Sequence, residues 1–179
     1  MSATIDTDRA MHALATCVAD SVRAMFTAYG IELEDAGPDD ALPPLTPDDL
    51  VATVPFGSAT VHGTLMLLAP AAAVRRTMPF VPAPDAEPAA TRDWLGELAN
   101  QAIGRVRERV AWPGGELLVG APVVRTLAEV PFGEVDPTRT AGARLVAPDA
   151  HVVAWCELAA LDGVVFTEVP RSRAGTRIL

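Results

Sequence analysis

Two stretches of this chain carry one apolar stripe each at helical spacing, and they limit its possible folds more than any other feature. Met11, Leu14, Ala15, Val18, Val22, Met25, Phe26 and Tyr29 recur at that spacing, and Gly30 follows as a C-cap. This predicts a helix from about Asp8 to Tyr29. Leu95, Leu98, Ala99, Ala102, Ile103 and Val106 repeat the pattern inside a second helix, over roughly 88–111, stopped by Pro113, Gly114 and Gly115. Between them, from Leu50 to Leu68, the residues are apolar and β-branched, broken at Gly57-Ser58 and at Gly63. That predicts a hairpin of strands at about 50–56 and 59–68. Pro70 can open a short helix through Met78. Further strands are expected at 116–120, 122–126, 143–147, 151–158 and 164–169, with turns at Pro148-Asp149 and Asp162-Gly163. Two one-sided helices and short, turn-linked strands call for one shared apolar interface. The expected fold is α+β, an antiparallel-rich sheet with both long helices packed on one face.

At 179 residues, half of them hydrophobic, the chain is read as one domain, 1–179, with a core over about 8–170 and a polar, frayed tail at 171–179. No apolar run reaches the ~18 residues of a membrane helix, and the N-terminus lacks the basic-then-apolar pattern of a signal peptide. A cytoplasmic protein without membrane contact is expected. The net charge of −9 argues against nucleic acid as a partner, because such binding needs a basic footprint. All fourteen basic residues are Arg, which excludes lysine-based chemistry such as a Schiff base or a Walker phosphate loop. Cys17 and Cys156 lie in separate predicted elements and read as buried free thiols. The segment 34–49 gathers five Asp residues among four Pro residues without the ligand alternation of a calcium loop, so it reads as a solvated acidic connection.

The second helix also carries a polar stripe. Asp93, Glu97 and Asn100 are spaced i, i+4, i+7, and Gly104 continues the row. At about 100° per residue, the three polar side chains fall within roughly 60° of one another, opposite the apolar face. A carboxylate and a carboxamide one turn apart are thus offered to solvent, flanked by Gly96 and Gly104, which would let another backbone come close. An ordinary solvated helix face produces the same pattern. Other chemistry finds little support. His12, His62 and His151 have no metal-ligand spacing, so no metal site is expected, and His62 reads as a satisfied structural residue in a strand. There is no Gly-x-Ser-x-Gly elbow. Val-Pro-Phe-Gly occurs at 54–57 and again at 130–133, a weak hint of two related units.

The run Glu97-Leu-Ala-Asn100, with Asp93 before it and Gly104 after it, resembles the signature of the chemotaxis phosphatases CheC, CheX and FliY. In that signature an Asp or Ser precedes the Glu by four residues, and a Pro follows the Asn at a long interval. Pro122 follows Asn100 after 21 intervening residues, one short of the usual spacing. The glycine-marked strands around Phe56-Gly57 and Val61-His62-Gly63-Thr64-Leu65 look like those of the family, and the element order matches over roughly 8–170. Only one Glu-x-x-Asn site is present, and the first helix has Ser21 and Ala24 where a second could sit. In this the chain looks more like CheX, with one site, than like CheC, with two.

The resemblance implies a CheX/CheC-like fold and an activity on a partner protein, removing the aspartyl phosphate of a CheY-type response regulator in chemotaxis or two-component signalling. Glu97 and Asn100 would then carry the catalysis: Asn100 as the amide that positions water, Glu97 as an anchor to the regulator. Asp93, Gly104 and Pro122 would support the site or the partner contact, Asp93 through the positive end of its helix and Pro122 by ending a strand. No cofactor of the chain's own is implied, since magnesium is expected on the regulator. A homodimer is a further expected assembly. The competing readings are a non-catalytic CheX-like dimerisation or signalling-protein binding module and a small-molecule sensor built on an apolar pocket.

Overall fold

The computed structural model describes residues 7–36, 45–59, 61–80, 82, 86–111, 116–130, 139–148, 150–159 and 167–168. The first apolar stripe forms α1 (Thr7–Ala28). Its end is a Schellman cap: Gly30 takes φ 82°, with Gly30 N–H bonded to the Thr27 carbonyl and Ile31 N–H to that of Phe26. A residue with a Cβ resists that φ, so glycine is required there. Next come β1 (Glu34–Asp35), β2 (Leu50–Gly57), β3 (His62–Ala69) and the short α2 (Ala71–Arg76), which Pro70 opens. The second stripe forms α3 (Glu87–Arg109). After it lie β4 (Val110–Ala111), β5 (Leu118–Val119), β6 (Val123–Thr126), a single 3-10 turn at Leu127–Glu129, β7 (Thr140–Ala147), β8 (Ala150–Leu158) and β9 (Thr167–Glu168).

The main sheet runs β1-β7-β8-β3-β2, and β5 and β6 share the outer edge of β2; every pairing is antiparallel. β4 and β9 form a separate two-stranded ladder. Alternation along the strands decides what faces the helices. Leu50, Ala52, Val54 and Phe56 of β2, Leu65 and Leu67 of β3, Leu145 of β7 and Val152, Ala154, Cys156 and Leu158 of β8 join one core with α1 and α3. Both helices pack on this face and on each other, α1 over β7 and β8, α3 over β2, β3 and β6. Fully buried leucines such as Leu14, Leu95 and Leu98 each contribute about 1.5–3 kcal/mol through the apolar surface they remove from water.

Several expectations need correction. The segment 34–49 is not simply a solvated connection. Glu34 and Asp35 pair with β7, while Asp49 is only 4% exposed. The Asp49 carboxylate accepts bonds from the Thr46 N–H (3.0 Å) and hydroxyl (2.9 Å), and lies 3.4 Å from Nε2 of buried His151. Composition could not separate Asp49 from its solvated neighbours, because its partner is a histidine about a hundred residues away. His62 does lie in a strand, as the first residue of β3, but it is exposed at the hairpin end. The strands expected at 116–120 and 122–126 shorten to β5 and β6, and that expected at 143–147 lengthens to β7. Residues 131–133, 162–163 and 171–179 lie outside the described residues, so the second Val-Pro-Phe-Gly copy, the second turn and the tail do too.

Candidate functional site

Helix α3 turns Leu95, Leu98, Ala99, Ala102, Ile103 and Val106 into the core, and the opposite row is left to solvent. Asp93 and Glu97 are exposed, and Asn100 and Gly104 are part-exposed. The structure therefore brings the four helical members of the expected site into one row. Among the described residues, the Asn100 amide makes no hydrogen bond, and the Glu97 carboxylate has a single partner, the Gln101 amide at 3.4 Å. A Cβ on Gly104 would meet nothing within 4 Å. Asp93 does not stand at the helix start: the acidic residue of the first turn is Glu87, which pairs with Arg75 at 3.2 Å. The macrodipole acts within the first turn, so the helix-end role expected of Asp93 belongs to Glu87.

Gly96 and Pro122 have a different relation from the one expected. Gly96 is buried, and a Cβ there would lie 3.4 Å from Pro122 Cγ and 3.5 Å from Val124 Cγ2. It therefore faces the chain's own β6 edge, at ordinary van der Waals distance from the added Cβ, and not a partner backbone. Pro122 opens β6 rather than ending a strand, and it packs one turn before Asn100 on the same side of α3. Farther along that edge the Glu129 carboxyl is held below the usual carboxylate range. The Thr126 N–H bonded to it at 2.8 Å is the first cause and the Thr126 side chain the second, with Arg92 and Arg125 adding smaller contributions.

On the other flank, Tyr29 stands just beyond α1 with its hydroxyl 3.3 Å from Gln101 Nε2 and 3.4 Å from Oε1. The Trp94 ring meets Tyr29 edge-on at 5.5 Å, and its indole N–H donates to the Thr77 hydroxyl at 2.8 Å. The sequence could have offered Gln101, which sits at i+4 from Glu97, but not Tyr29, which comes from the turn after α1. The position on α1 comparable to Glu97 carries no second site: Ser21 is fully buried, and its hydroxyl has no partner among the described residues.

Elsewhere, Cys17 and Cys156 are both buried free thiols, and burial pushes the Cys156 thiol far up, with Cys17 adding to the shift. Among the described residues no group of three His, Cys, Asp or Glu could hold a metal ion, and no helix is long and apolar enough to cross a membrane. An apolar cavity of about 630 Å³, lined by Gly142, Arg144, Val153 and Trp155 among others, includes no residue of the α3 row.

No protein-family model and no curated protein matches the sequence. Solved structures do. The chemotaxis protein CheX from Desulfovibrio desulfuricans superposes with a TM-score of 0.60 at 16% identity, covering 82% of this chain and 99% of that one. CheX from Vibrio vulnificus gives 0.59 at 13% identity, with 82% and 99% covered. The Borrelia burgdorferi CheX-CheY-BeF3-Mg complex gives 0.53 at 12% identity, with 86% and 98% covered. With one antiparallel sheet, two long helices on one face and near-complete coverage of those proteins, this chain has the fold of the CheX and CheC-like chemotaxis proteins.

Proposed function

We propose that this chain is a CheX-like phosphatase that hydrolyses the aspartyl phosphate of a CheY-type response regulator. The observation that carries the reading is the exposed row on α3, in which an amide without a hydrogen-bond partner among the described residues, Asn100, lies one turn from an exposed carboxylate, Glu97. The shared fold supports it, and a CheX of that fold has been solved with CheY, BeF3 and Mg.

The chemistry asks little of such a surface. An acyl phosphate is intrinsically reactive, and magnesium would be held by the regulator, so what the chain must add is position. Asn100 can accept a hydrogen bond from the attacking water through its carbonyl oxygen while its NH₂ faces the phosphoryl oxygens. Being uncharged, it does not repel the phosphate. Water adds to phosphorus, the bond to the regulator's aspartyl oxygen breaks, and inorganic phosphate and a free carboxylate leave. Glu97 pairs with a cationic side chain of the regulator and sets the angle at which Asn100 enters. Pro122, packed against Gly96, leads into β6 beside the row.

The decisive experiment follows the decay of a phosphorylated CheY-type regulator against the concentration of this protein. Asn100→Ala is expected to remove most of the acceleration while shifting stability by no more than about 0.5 kcal/mol. Glu97→Ala is expected to weaken binding, most strongly at low salt. Full activity in Asn100→Ala would overturn the mechanism. An unchanged regulator lifetime with the wild-type chain would favour a non-catalytic docking module.

A further inference from the structure

We propose that Tyr29 and Gln101 form a positioning relay that fixes the Glu97 carboxylate before a partner arrives, a role that rests on the functional reading above. Gln101 lies one helical turn beyond Glu97, where side chains on α3 stack, and its Nε2 is 3.4 Å from Glu97 Oε1. A carboxylate only accepts hydrogen bonds, so the amide must turn its NH₂ toward Glu97. Both ends of that amide lie by the Tyr29 hydroxyl, Nε2 at 3.3 Å and Oε1 at 3.4 Å, so the hydroxyl holds the side chain that reaches Glu97. The contacts then run in series from Tyr29 through Gln101 to Glu97.

The far end of this chain of bonds is fixed by the fold. Tyr29 is the residue before Gly30, whose left-handed φ of 82° ends α1. Its ring meets Trp94 edge-on, with an interplanar angle of 81°. Trp94 is in turn bonded to Thr77, which is 1% exposed and donates its own hydroxyl proton to the Val74 carbonyl at 2.6 Å. A glutamate alone on a helix surface samples several rotamers, and docking must select one. Here the selection is supplied in advance by a residue just beyond the end of α1, 72 positions from Gln101 in the chain. A local coincidence of helical spacing would not recruit Tyr29. The row on α3 is thereby tied to the end of α1, so the presentation of Glu97 depends on how the two helices pack.

The test uses two conservative variants. Tyr29→Phe removes the hydroxyl and keeps the ring against Trp94; Gln101→Leu removes both bonds of the relay. In regulator-phosphate decay, with a CheY-type regulator charged by acetyl phosphate, each is expected to raise KM about 1.4- to 2.3-fold and leave kcat essentially unchanged, the size of an exposed i, i+4 pair. In a Glu97→Ala background neither variant should alter KM further, because nothing remains to be positioned. Equal effects with and without Glu97, or a fall in kcat at constant KM, would overturn the relay. A second measurement reads the free protein by ¹⁵N relaxation of the Gln101 side-chain amide, expected to be ordered in the wild type and mobile in Tyr29→Phe. An amide already mobile in the wild type overturns the relay whatever the activity. A wild-type protein that fails to shorten the regulator's lifetime sinks the functional reading instead, and the relaxation data then decide the relay by themselves.

Discussion

The two long helices are nearly equal in length, 22 and 23 residues, and lie on the same face of one sheet, yet they offer opposite things at comparable positions. On α1, Ser21 is fully buried among large neighbours such as Val22, Met25 and Phe26. On α3, Glu97 is exposed, opposite a buried face on which Gly96, Ala99 and Ala102 alternate with Leu95, Leu98 and Ile103. Bulky side chains on α1 fill the space over β7 and β8. Beside α3, Pro122 and Val124 lie against Gly96, and the row of Glu97 stays open to solvent. The difference teaches that a polar residue on an amphipathic helix becomes a site only where the packing around it stops short.

The strongest way to break this comparison is to exchange the two environments. Ser21→Glu places a carboxylate in the core with no cation to meet it and is expected to destabilise by at least about 3 kcal/mol. Glu97→Ser, on the open row, should stay within about 0.5 kcal/mol. Urea denaturation midpoints of the two variants check both, and similar losses would remove the distinction between the helices.

A buried polar group with partners provides the next contrast. Asp49→Ala removes the acceptor of two Thr46 donors and the carboxylate 3.4 Å from His151 Nε2, which has no hydrogen bond among the described residues, and it is expected to cost about 1–3 kcal/mol. Ser21→Ala removes a hydroxyl that has no partner among the described residues, so it should be neutral or stabilising. Thermal unfolding of the pair measures it; a larger loss at Ser21 than at Asp49 would mean that the Ser21 hydroxyl does meet a partner. Gly104→Ala should stabilise by up to about 1 kcal/mol, since the new methyl meets nothing and the helix gains propensity. If the α3 row is also the docking surface, Gly104→Leu will weaken regulator binding without lowering stability, which a titration against the regulator can follow.

The smallest effect concerns acid stability at the β6 edge. The Glu129 carboxyl titrates below its ordinary range because the Thr126 N–H bonds to the charged form. Its contribution is therefore complete above the ordinary carboxylate pKa and is lost as pH falls through the lower folded value. The wild type should exceed Glu129→Gln slightly in Tm at neutral pH, and the gap should close on acidification. A gap that is constant with pH would count against the bond to Thr126.

Spacing made the long elements legible. The stripes of α1 and α3, the hairpin of β2 and β3, the helix opened by Pro70 and the Gly30 cap all follow from local periodicity and turn chemistry. The row Asp93, Glu97, Asn100 and Gly104 was legible for the same reason, because helical geometry alone places them together. Gly96 reads differently in the structure, since a glycine on a helix looks alike whether it faces a partner or the chain's own strand. Asp49 was misread because burial is a property of where a segment lands.

What the sequence by itself determined is thus the set of one-sided helices and alternating strands, and the order of polar groups along one helix. Those depend on interactions between residues a few positions apart. Only the tertiary structure decided that Pro122 lies against Gly96, that His151 meets Asp49, and that Tyr29 reaches Gln101. Each of these joins segments distant in the chain, and such contacts depend on how a shared core brings the elements together.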